Sequence, residues 1–297
     1  MHPEINRRKL LLAATVTAAL LALQIFTPAF AQPGPKYSAE ADKVHVVLLV
    51  AGADSNIGNA DMADVAAMRH AISASFASDR KRVVFHDLTG KNPATGRHYT
   101  GPEILARLKR MKVGSNDTVL VFHSGHGGIS DKKHPEASHV LTVDGGQVNR
   151  IDIMNTVLAH QPRALIILTD CCSSFMGSQV SLTDETVNTK TVRNLLLRPV
   201  GVISITAAED GKEAQASYKG TNPANAGSAF TVALTRLWYR HDVTFTSWKT
   251  FFPMLRQETK AASGGTHQAR AFRLSETLVS APFEDRPAPP ATAIIEI

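Results

Sequence analysis

The amino-acid sequence predicts a three-layer α/β domain in which a mostly parallel central sheet is flanked by helices. Five short apolar runs have the length of strands, and their continuous hydrophobicity is typical of strands buried on both faces of a parallel sheet. Segments with helical spacing of apolar residues separate most of these runs, an alternation that favours helices covering such a sheet. A chain of 297 residues is long enough to bury a core of this kind.

The individual elements follow in chain order from these patterns. Strands are predicted at His45–Val50, Arg82–Phe85, Thr118–Phe122, Ala164–Thr169 and Val200–Thr206. Helices are predicted at Met62–Phe76, Pro102–Met111, Ile151–Leu158, Ala229–Tyr239 and Trp248–Lys260. The segment 176–198 is polar and rich in Thr and Ser, which predicts a long surface loop or a small β element.

The two ends of the chain differ in character from this domain. Three basic residues, Arg7 to Lys9, precede an apolar run, and Ala29 and Ala31 offer small side chains to a signal peptidase. Residues 1–31 are therefore predicted to be a cleaved signal peptide, with an uncleaved anchor helix as the alternative. A polar segment at 32–43 leads into the domain at 44–281, and a Pro/Ala-rich tail occupies 282–297.

The net charge and the predicted signal peptide bear on the partners and the location of the protein. Removal of residues 1–31 lowers the net charge from +6 to +4, and so mild an excess gives no reason to propose a nucleic-acid partner. After signal cleavage no association with a membrane is expected. The predicted location is the periplasm or the extracellular medium.

The chain contains two cysteines, Cys171 and Cys172, and they are adjacent. Neighbouring Cα atoms lie about 3.8 Å apart, below the usual separation of about 4.4–6.8 Å across a disulfide, so the pair is not expected to be a structural bridge. An inert core thiol, a metal ligand and a nucleophile remain as interpretations. The position of the pair just past a predicted strand, before Ser173 and Ser174, favours the nucleophile.

Reactive side chains follow two consecutive strands. The segment FHSGHGG, at 122–128, comes directly after the third strand. The segment TDCCSS, at 169–174, comes directly after the fourth. Ligands bind outside the carboxyl ends of strands in open α/β sheets, and strands consecutive in sequence are usually neighbours. A histidine and a cysteine are therefore expected to meet, as a thiolate with an imidazole partner requires.

The glycines beside the histidine indicate how a developing oxyanion would be stabilised. Gly127 allows the backbone to approach a scissile carbonyl and offers its N–H, and the N–H of Cys172 would be the second donor. His126 is the expected general acid/base because it stands between two glycines, and His123 is expected to be secondary.

These segments resemble the peptidase clan that contains caspases, metacaspases and legumains. Its signatures are a strand ending in S-G-H-G and another ending in D-x-C, matched here at 124–127 and 170–172. The resemblance extends over roughly 44–275 and includes Ala63–Val65 with Met68, the strand-five segment 205–214, and Gly227–Thr231. It implies a caspase-like fold and a cysteine endopeptidase of the peptidase C14 kind, with Cys172 as nucleophile and Cys171 at the variable site.

The resemblance also implies a substrate pocket. Asp64, Ser124 and Asp170 match residues that receive a basic P1 side chain, and two carboxylates suit Arg or Lys on charge alone. Asp210, on the loop after the fifth strand, is a further candidate substrate-binding residue. No cofactor is expected, and calcium is a candidate activator because metacaspases often bind it. The residues after Cys172 depart from the metacaspase C-H-S-G, which leaves the P1 preference open to a legumain-like choice of Asn or Asp.

Several alternatives concern the same residues. A zinc site could draw on His123, His126 and both cysteines, although ligands adjacent in sequence seldom reach one metal and no C-x₂-C spacing is present. A catalytically inactive domain that binds proteins is the rival from another functional class. His134, His139, His160 and His267 lack any motif context. Self-cleavage is a further hypothesis, because the predicted loop 176–198 carries Lys190, Arg193 and Arg198 and such loops are preferred sites of nicking.

Overall fold

A computed structural model describes five stretches of the chain, namely residues 37–51, 57–171, 186–214, 216–217 and 227–278. The predicted signal peptide at 1–31 and the tail at 282–297 lie outside these residues, as do Cys172 and the loop that follows it. The boundaries proposed for the polar segment and the domain therefore stay predictions.

The fold is built on a mostly parallel six-stranded sheet. Eleven strands are found within the described ranges: β1 Val44–Val50, β2 Val83–Asp87, β3 Thr118–Gly125, β4 Gly127–Ile129, β5 His139–Val143, β6 Gly146–Asn149, β7 Ala164–Cys171, β8 Pro199–Thr206, β9 Ala216–Ser217, β10 Gly227–Ser228 and β11 Arg270–Leu278. The main sheet has the order β11-β8-β7-β3-β1-β2, and only β11 runs antiparallel to its neighbour. The predicted mostly parallel sheet is confirmed.

Six α-helices accompany the strands in the described part of the chain: α1 Gly58–Ser75, α2 Gly101–Lys109, α3 Arg150–Leu158, α4 Thr189–Leu197, α5 Ala229–Tyr239 and α6 Trp248–Ala262. Side chains cap several of their N-termini, since Thr100 forms a reciprocal capping box with Glu103 and the hydroxyls of Ser228 and Ser247 accept hydrogen bonds from backbone N–H groups. None of the described helices has the length and apolar character that a membrane span requires.

The strands divide their side chains between two cores, which makes the domain three-layered. Val46, Leu48 and Leu120 pack with α1, α4, α5 and α6 on one face of the sheet. Val47 and Val119, one residue away along the same strands, pack with α2 and α3 on the other face. Because side chains alternate along a strand, both faces of these apolar strands are buried. This is the three-layer arrangement that the sequence predicts.

Two small β elements lie outside the main sheet. Strands β4, β5 and β6 form an antiparallel sheet between β3 and α3, and β9 pairs with β10 just before α5. The sequence analysis did not find these elements, nor the antiparallel edge strand β11. The small sheet matters for the site because it holds the chain immediately after His126.

The prediction of a polar loop over 176–198 is wrong for its second half. Residues 189–197 form α4, which begins after Asn188, whose side-chain oxygen accepts a hydrogen bond from the Thr191 N–H. Val192 and Leu195–Leu197 are buried in the core, so one face of this helix is apolar although the segment as a whole is rich in polar residues. Lys190 and Arg193 therefore lie on a packed helix with Arg198 at its end, and not on an exposed loop. Residues 176–185 lie outside the described ranges.

Candidate active site

The site lies at the carboxyl ends of β3 and β7, where the two strands run parallel and side by side. Their register pairs Ser124 with Asp170 and Gly125 with Cys171. The two sequence segments singled out as reactive thus leave the sheet at the same level. This juxtaposition is the one expected of ligand sites in open α/β sheets.

Gly125 is required for the chain to leave β3 as it does. Its φ of +151° lies in the region that favours glycine. A Cβ at this position would lie 2.2 Å from the Cβ of Ala51, at the end of the neighbouring strand β1. The close approach of β1 to β3 therefore excludes any larger residue and sets the direction in which His126 follows.

His126 and Gly127 line a cleft of about 340 Å³ at this edge of the sheet, together with Cys171, His139 and Asp210. The backbone carbonyl of His126 accepts a hydrogen bond from the N–H of Thr142 on β5 at 2.9 Å, which anchors it to the small sheet. Gly127 is pressed against the end of β7, because a Cβ there would lie 2.9 Å from the Cys171 Sγ. The Cys171 side chain thus occupies the space that any larger residue at position 127 would need.

The predicted nucleophile, Cys172, lies outside the described residues, and its neighbour Cys171 is fully buried. The Cys171 Sγ lies 3.1 Å from Nε2 of His139, a residue on β5 that is also buried. Sequence reasoning missed this pair because the two residues are 32 positions apart and His139 belongs to no motif. A thiol and an imidazole therefore do meet here, though not the pair expected from the sequence.

The electrostatic surroundings of His139 make it a poor proton acceptor. Burial, reinforced by the positive charge of Arg150, lowers the pKa of His139 to about 3. At neutral pH its ring is uncharged, and a base with so low a pKa has little driving force to deprotonate a thiol. The contact with the Cys171 Sγ is consequently made by an uncharged imidazole, and it joins β5 to β7.

Arg150, at the start of α3, supports the sheet below the cleft. Its guanidinium is fully buried and donates hydrogen bonds to the Ser204 Oγ and to the backbone carbonyls of Ile167 and Ile205 on β7 and β8. Burial lowers the pKa of Arg150 only to about 10, so the group is charged at neutral pH. It therefore ties together the two strands whose ends form one side of the cleft.

His123 occupies a different environment from His126. It is fully buried, and its Nε2 lies 2.7 Å from the carbonyl oxygen of Thr142. Burial lowers the pKa of His123 to about 4. Because this side chain is engaged by the backbone of β5 and does not line the cleft, its environment fits the secondary role predicted for it.

The three residues predicted to form the substrate pocket are in contact. The Ser124 hydroxyl donates to the Asp64 Oδ2 at 2.8 Å, and the backbone N–H of Ser228 donates to the other oxygen of Asp64 at 3.0 Å. Ser228 also bonds to the Asp170 carboxylate through its hydroxyl. Serine hydroxyl and backbone groups thus join Asp64 on α1 to Asp170 on β7.

Asp170 is held at the N-terminus of α5, where the helix dipole favours a negative charge. Its Oδ2 accepts hydrogen bonds from the N–H of Thr231 at 3.0 Å and from the Thr231 hydroxyl at 2.7 Å. Burial raises the pKa of Asp170 to about 6, although these bonds oppose the shift. Asp170 is therefore mostly ionised at neutral pH.

A third carboxylate, Asp61, belongs to this acidic cluster and was missed by the sequence analysis. Its Oδ1 lies 3.3 Å from the Ser124 Oγ, and Asp61, Asp64 and Asp170 are only 1%, 2% and 3% exposed. Burial, with the negative charges of Asp64 and Asp170, raises the pKa of Asp61 to about 9. Burial and Asp170 likewise hold the pKa of Asp64 well above its usual range. The signal in the sequence was the spacing of three residues, which places Asp61 and Asp64 on one face of a helix.

Comparison with known protein families agrees with this geometry. The family described as the caspase domain, Peptidase_C14, matches residues 61–269, which include most of the described fold.

 All of the predicted site residues, from Asp64 to Asp210, thus fall within the match. The chain belongs to the caspase-domain family. A search of curated proteins found no significant match to the sequence. The predicted caspase-like fold is confirmed, and membership of this family supports a function of the cysteine-peptidase kind.

Asp210 of the caspase domain is separate from the acidic cluster. It lies on the loop after β8, lines the rim of the cleft and forms an ion pair with Arg270 at the start of β11. Glu209 beside it is paired with Arg256 on α6, at 3.1 Å. These ion pairs hold the loop against α6 and β11. Asp210 can meet a substrate that lies in the cleft, but it does not share a pocket wall with Asp64.

The described residues of the caspase domain do not form a metal site. Within the stretches that the structure describes, no group of three or more His, Cys, Asp or Glu side chains is arranged to hold a metal ion. Cys172, one of the four ligands of the alternative zinc site, lies outside those stretches. Activation by calcium stays a prediction.

Proposed function

We propose that this caspase domain is a cysteine endopeptidase with Cys172 as its nucleophile and His126 as its acid/base. The observation that carries the proposal is the register of β3 and β7, which pairs Gly125 with Cys171. His126 and Cys172 are the next residues along these two chains. Covalent geometry keeps the Cα of Cys172 about 3.8 Å from that of Cys171. The two reactive groups therefore begin from adjacent points at the edge of the sheet.

The proposed chemistry assigns one step to each group. His126 takes the thiol proton of Cys172, and the thiolate attacks the scissile carbonyl. The N–H groups of Gly127 and Cys172 stabilise the oxyanion, and protonated His126 then delivers its proton to the leaving amine. Water hydrolyses the resulting thioester and regenerates the thiol. The absence of a side chain at Gly127 leaves room for this approach, which agrees with the packing of its backbone against β7.

His139 is the rival base, and two observations favour His126. The pKa of His139 is lowered to about 3 by burial, so it cannot compete for a thiol proton at neutral pH. His139 and its partner Cys171 are also almost completely buried, whereas His126 is partly exposed. A substrate can therefore reach His126 without disruption of the contact between β5 and β7.

Cleavage after Arg or Lys is the specificity that the acidic cluster supports best. Asp64 and Asp170 are joined through Ser228, and none of the ion pairs in the described part of the chain occupies these two carboxylates. A guanidinium or ammonium group would balance their charge and donate hydrogen bonds to their oxygens. A legumain-like preference for Asn or Asp would leave buried carboxylates facing a neutral or negative side chain.

A fluorogenic peptide library that varies only P1 tests this function. We expect wild type to cleave after Arg and Lys, and Cys172→Ala to cleave none of the peptides. Asp64→Asn should raise KM for Arg substrates far more than for neutral ones. Cleavage mainly after Asn or Asp would contradict the basic pocket. A folded wild-type protein that binds peptides without hydrolysing them would instead indicate an inactive protein-binding domain.

Export to the periplasm or the medium is the proposed location, on the evidence of residues 1–31. N-terminal sequencing of the protein secreted by its host should begin at Gln32. A mature protein that retains Arg7 to Lys9 would contradict cleavage. The same purified protein can be assayed with calcium and with a chelator, and equal rates would remove calcium as an activator.

A further inference from the structure

Asp61 has an environment that the proposed catalytic machinery does not explain. It is 1% exposed, yet its Oδ2 has no hydrogen-bond partner within the described residues. Buried carboxylate oxygens are normally satisfied, so an unpartnered one calls for a ligand or a special protonation state. The oxygen belongs to the same cluster as Asp64 and Asp170, the carboxylates of the proposed P1 pocket.

The geometry around Ser124 indicates where a proton resides. A serine hydroxyl has one hydrogen to donate, and the shorter contact, 2.8 Å to the Asp64 Oδ2, claims it. The Asp61 Oδ1 lies 3.3 Å from the same Oγ and then faces a lone pair of the Ser124 oxygen. A favourable contact at that position requires Asp61 to donate a hydrogen, which only its protonated form carries. The rise of the Asp61 pKa to about 9, caused first by burial, agrees with this assignment.

The groups that face Asp61 are themselves acidic. Asp64 on α1 and Asp170 on β7 both raise the pKa of Asp61, and Asp144, on the turn between β5 and β6, does so more weakly. The His98 Nδ1 lies 3.2 Å from the Asp144 Oδ2 on that side. Within the described chain, no Arg or Lys forms an ion pair with Asp61, Asp64 or Asp170. The cluster therefore carries more carboxylates than it can ionise while it is empty.

We propose that Asp61 is a third, specificity-determining carboxylate of the P1 pocket, and that the pocket gives up a proton when a cationic side chain enters. This inference rests on the proposed function, whose pocket it extends. The proton leaves the Asp61 carboxyl for solvent, and the resulting carboxylate pairs with the incoming guanidinium or ammonium group. The unpartnered Oδ2 of Asp61 supplies the acceptor.

The exchange makes binding of a basic side chain depend on pH in a defined direction. Below the pKa of Asp61 in the empty pocket, each cation that binds must displace a proton, so affinity rises as the pH rises. Above that pKa no proton is displaced and the dependence disappears. A neutral side chain of the same shape has no charge to exchange for the proton, and its affinity should not follow this dependence. Citrulline, the uncharged isostere of arginine, provides that comparison.

Calorimetry can measure the exchange without relying on catalysis. The ligands are an acetylated tripeptide amide that ends in arginine and its citrulline twin, and the full-length reference protein carries Cys172→Ala so that no turnover occurs. Titrations at pH 8 in buffers of different ionisation enthalpy give the number of protons released. Asp61→Asn is compared with Asp152→Asn, which removes a partly exposed carboxylate on α3.

In the reference and in Asp152→Asn, we expect about one proton to be released per arginine peptide at pH 8. Asp61→Asn should release less than about half as much, and the citrulline peptide should release none. The ratio of Kd between Asp61→Asn and the reference should grow by about tenfold per pH unit between pH 7 and 8.5 and level off above about pH 9, because only the reference exchanges a proton. A merely structural role for Asp61 would weaken binding by the same factor at every pH.

Equal proton release with and without Asp61, or a constant Kd ratio, would overturn the inference. If Asp61→Asn does not fold, the reference alone decides, because its log Kd for the arginine peptide must change by about one per pH unit between pH 7 and 8.5. Failure of the reference to bind the arginine peptide would overturn the inference together with the basic pocket. The rest of the proposed function would then survive if wild type still cleaves peptides with neutral P1 residues through Cys172.

Discussion

Replacement of Asp61 by Asn should stabilise the protein, and the gain should increase with pH. The substitution keeps the size and shape of the side chain but removes its ionisation. Asp61 is 1% exposed, and its pKa rises from 3.8 to about 9 on folding, chiefly because of burial. A carboxyl whose pKa is raised by folding favours the folded state fully below the unfolded pKa, and this advantage is lost as the pH rises towards the folded pKa.

The magnitude follows from the size of the shift. At pH 7 the pH is roughly 3 units above the unfolded pKa, and each unit lowers the free energy of unfolding by about 1.4 kcal/mol. The wild-type protein has therefore lost about 4 kcal/mol of this contribution. Asn cannot ionise, so the variant avoids that loss. Relative to wild type, Asp61→Asn should therefore gain roughly 1.4 kcal/mol of unfolding free energy per pH unit between pH 5 and 8.

Guanidinium chloride unfolding at pH 4.5, 6, 7 and 8 measures this slope. Asp152→Asn serves as the matched control, because the same exchange is made on a partly exposed carboxylate and should change stability by less than about 0.5 kcal/mol at every pH. A difference between Asp61→Asn and wild type that does not change with pH would refute the reasoning. A difference that falls as the pH rises would show that Asp61 is ionised and paired in the folded protein.

Three further predictions follow from the cleft. Gly127→Ala should lower kcat and the melting temperature together, since its Cβ would lie 2.9 Å from the Cys171 Sγ, and unchanged values would contradict the packing. His126→Ala should reduce kcat by about 10²–10⁴-fold, whereas His139→Ala should mainly lower stability, and the opposite result would reverse their roles. Arg150→Met should destabilise the fold by roughly 3 kcal/mol in denaturant unfolding, because carbonyls of β7 and β8 lose their donor, and an unaffected midpoint would contradict that role.

The sequence predicted the central sheet well because burial on both faces leaves an unambiguous pattern. The run at 164–169 became the strand Ala164–Cys171, and the helix predicted at Ala229–Tyr239 has those bounds. The start of β3 was predicted too, but the strand continues to Gly125, three residues past the predicted end at Phe122. In the first two cases local composition and tertiary environment agree.

The elements that were missed depend on contacts between distant residues. Helix α4 presents only a narrow apolar face, so its Thr and Asn content predicted a loop, although Leu195–Leu197 are buried. The edge strand β11 is only partly buried and lacks the continuous apolar run by which the other strands were found. Short strands such as β4 are held by pairing with β5, which no local pattern reveals.

The site was predictable where motifs carry it and not where packing creates it. Asp64, Ser124 and Asp170 were found through a family resemblance, and the structure brings them into contact. The contact of His139 with Cys171 depends on how the small sheet lies against β7, which the sequence does not encode locally. Asp61 could have been found from its helical spacing with Asp64, but only the fold shows that Ser124 joins the two.

Covalent labelling tests the central claim, that Cys172 is the nucleophile, most directly. Wild type, Cys171→Ala, Cys172→Ala and His126→Ala are each incubated with an acyloxymethyl ketone that carries Lys at P1, and the products are examined by intact mass and peptide mapping. We expect one label on Cys172 in wild type and in Cys171→Ala, slow labelling of His126→Ala, and none of Cys172→Ala. Labelling of Cys172→Ala at Cys171, with loss of the label in Cys171→Ala, would contradict the account and identify the buried thiol beside His139 as the nucleophile.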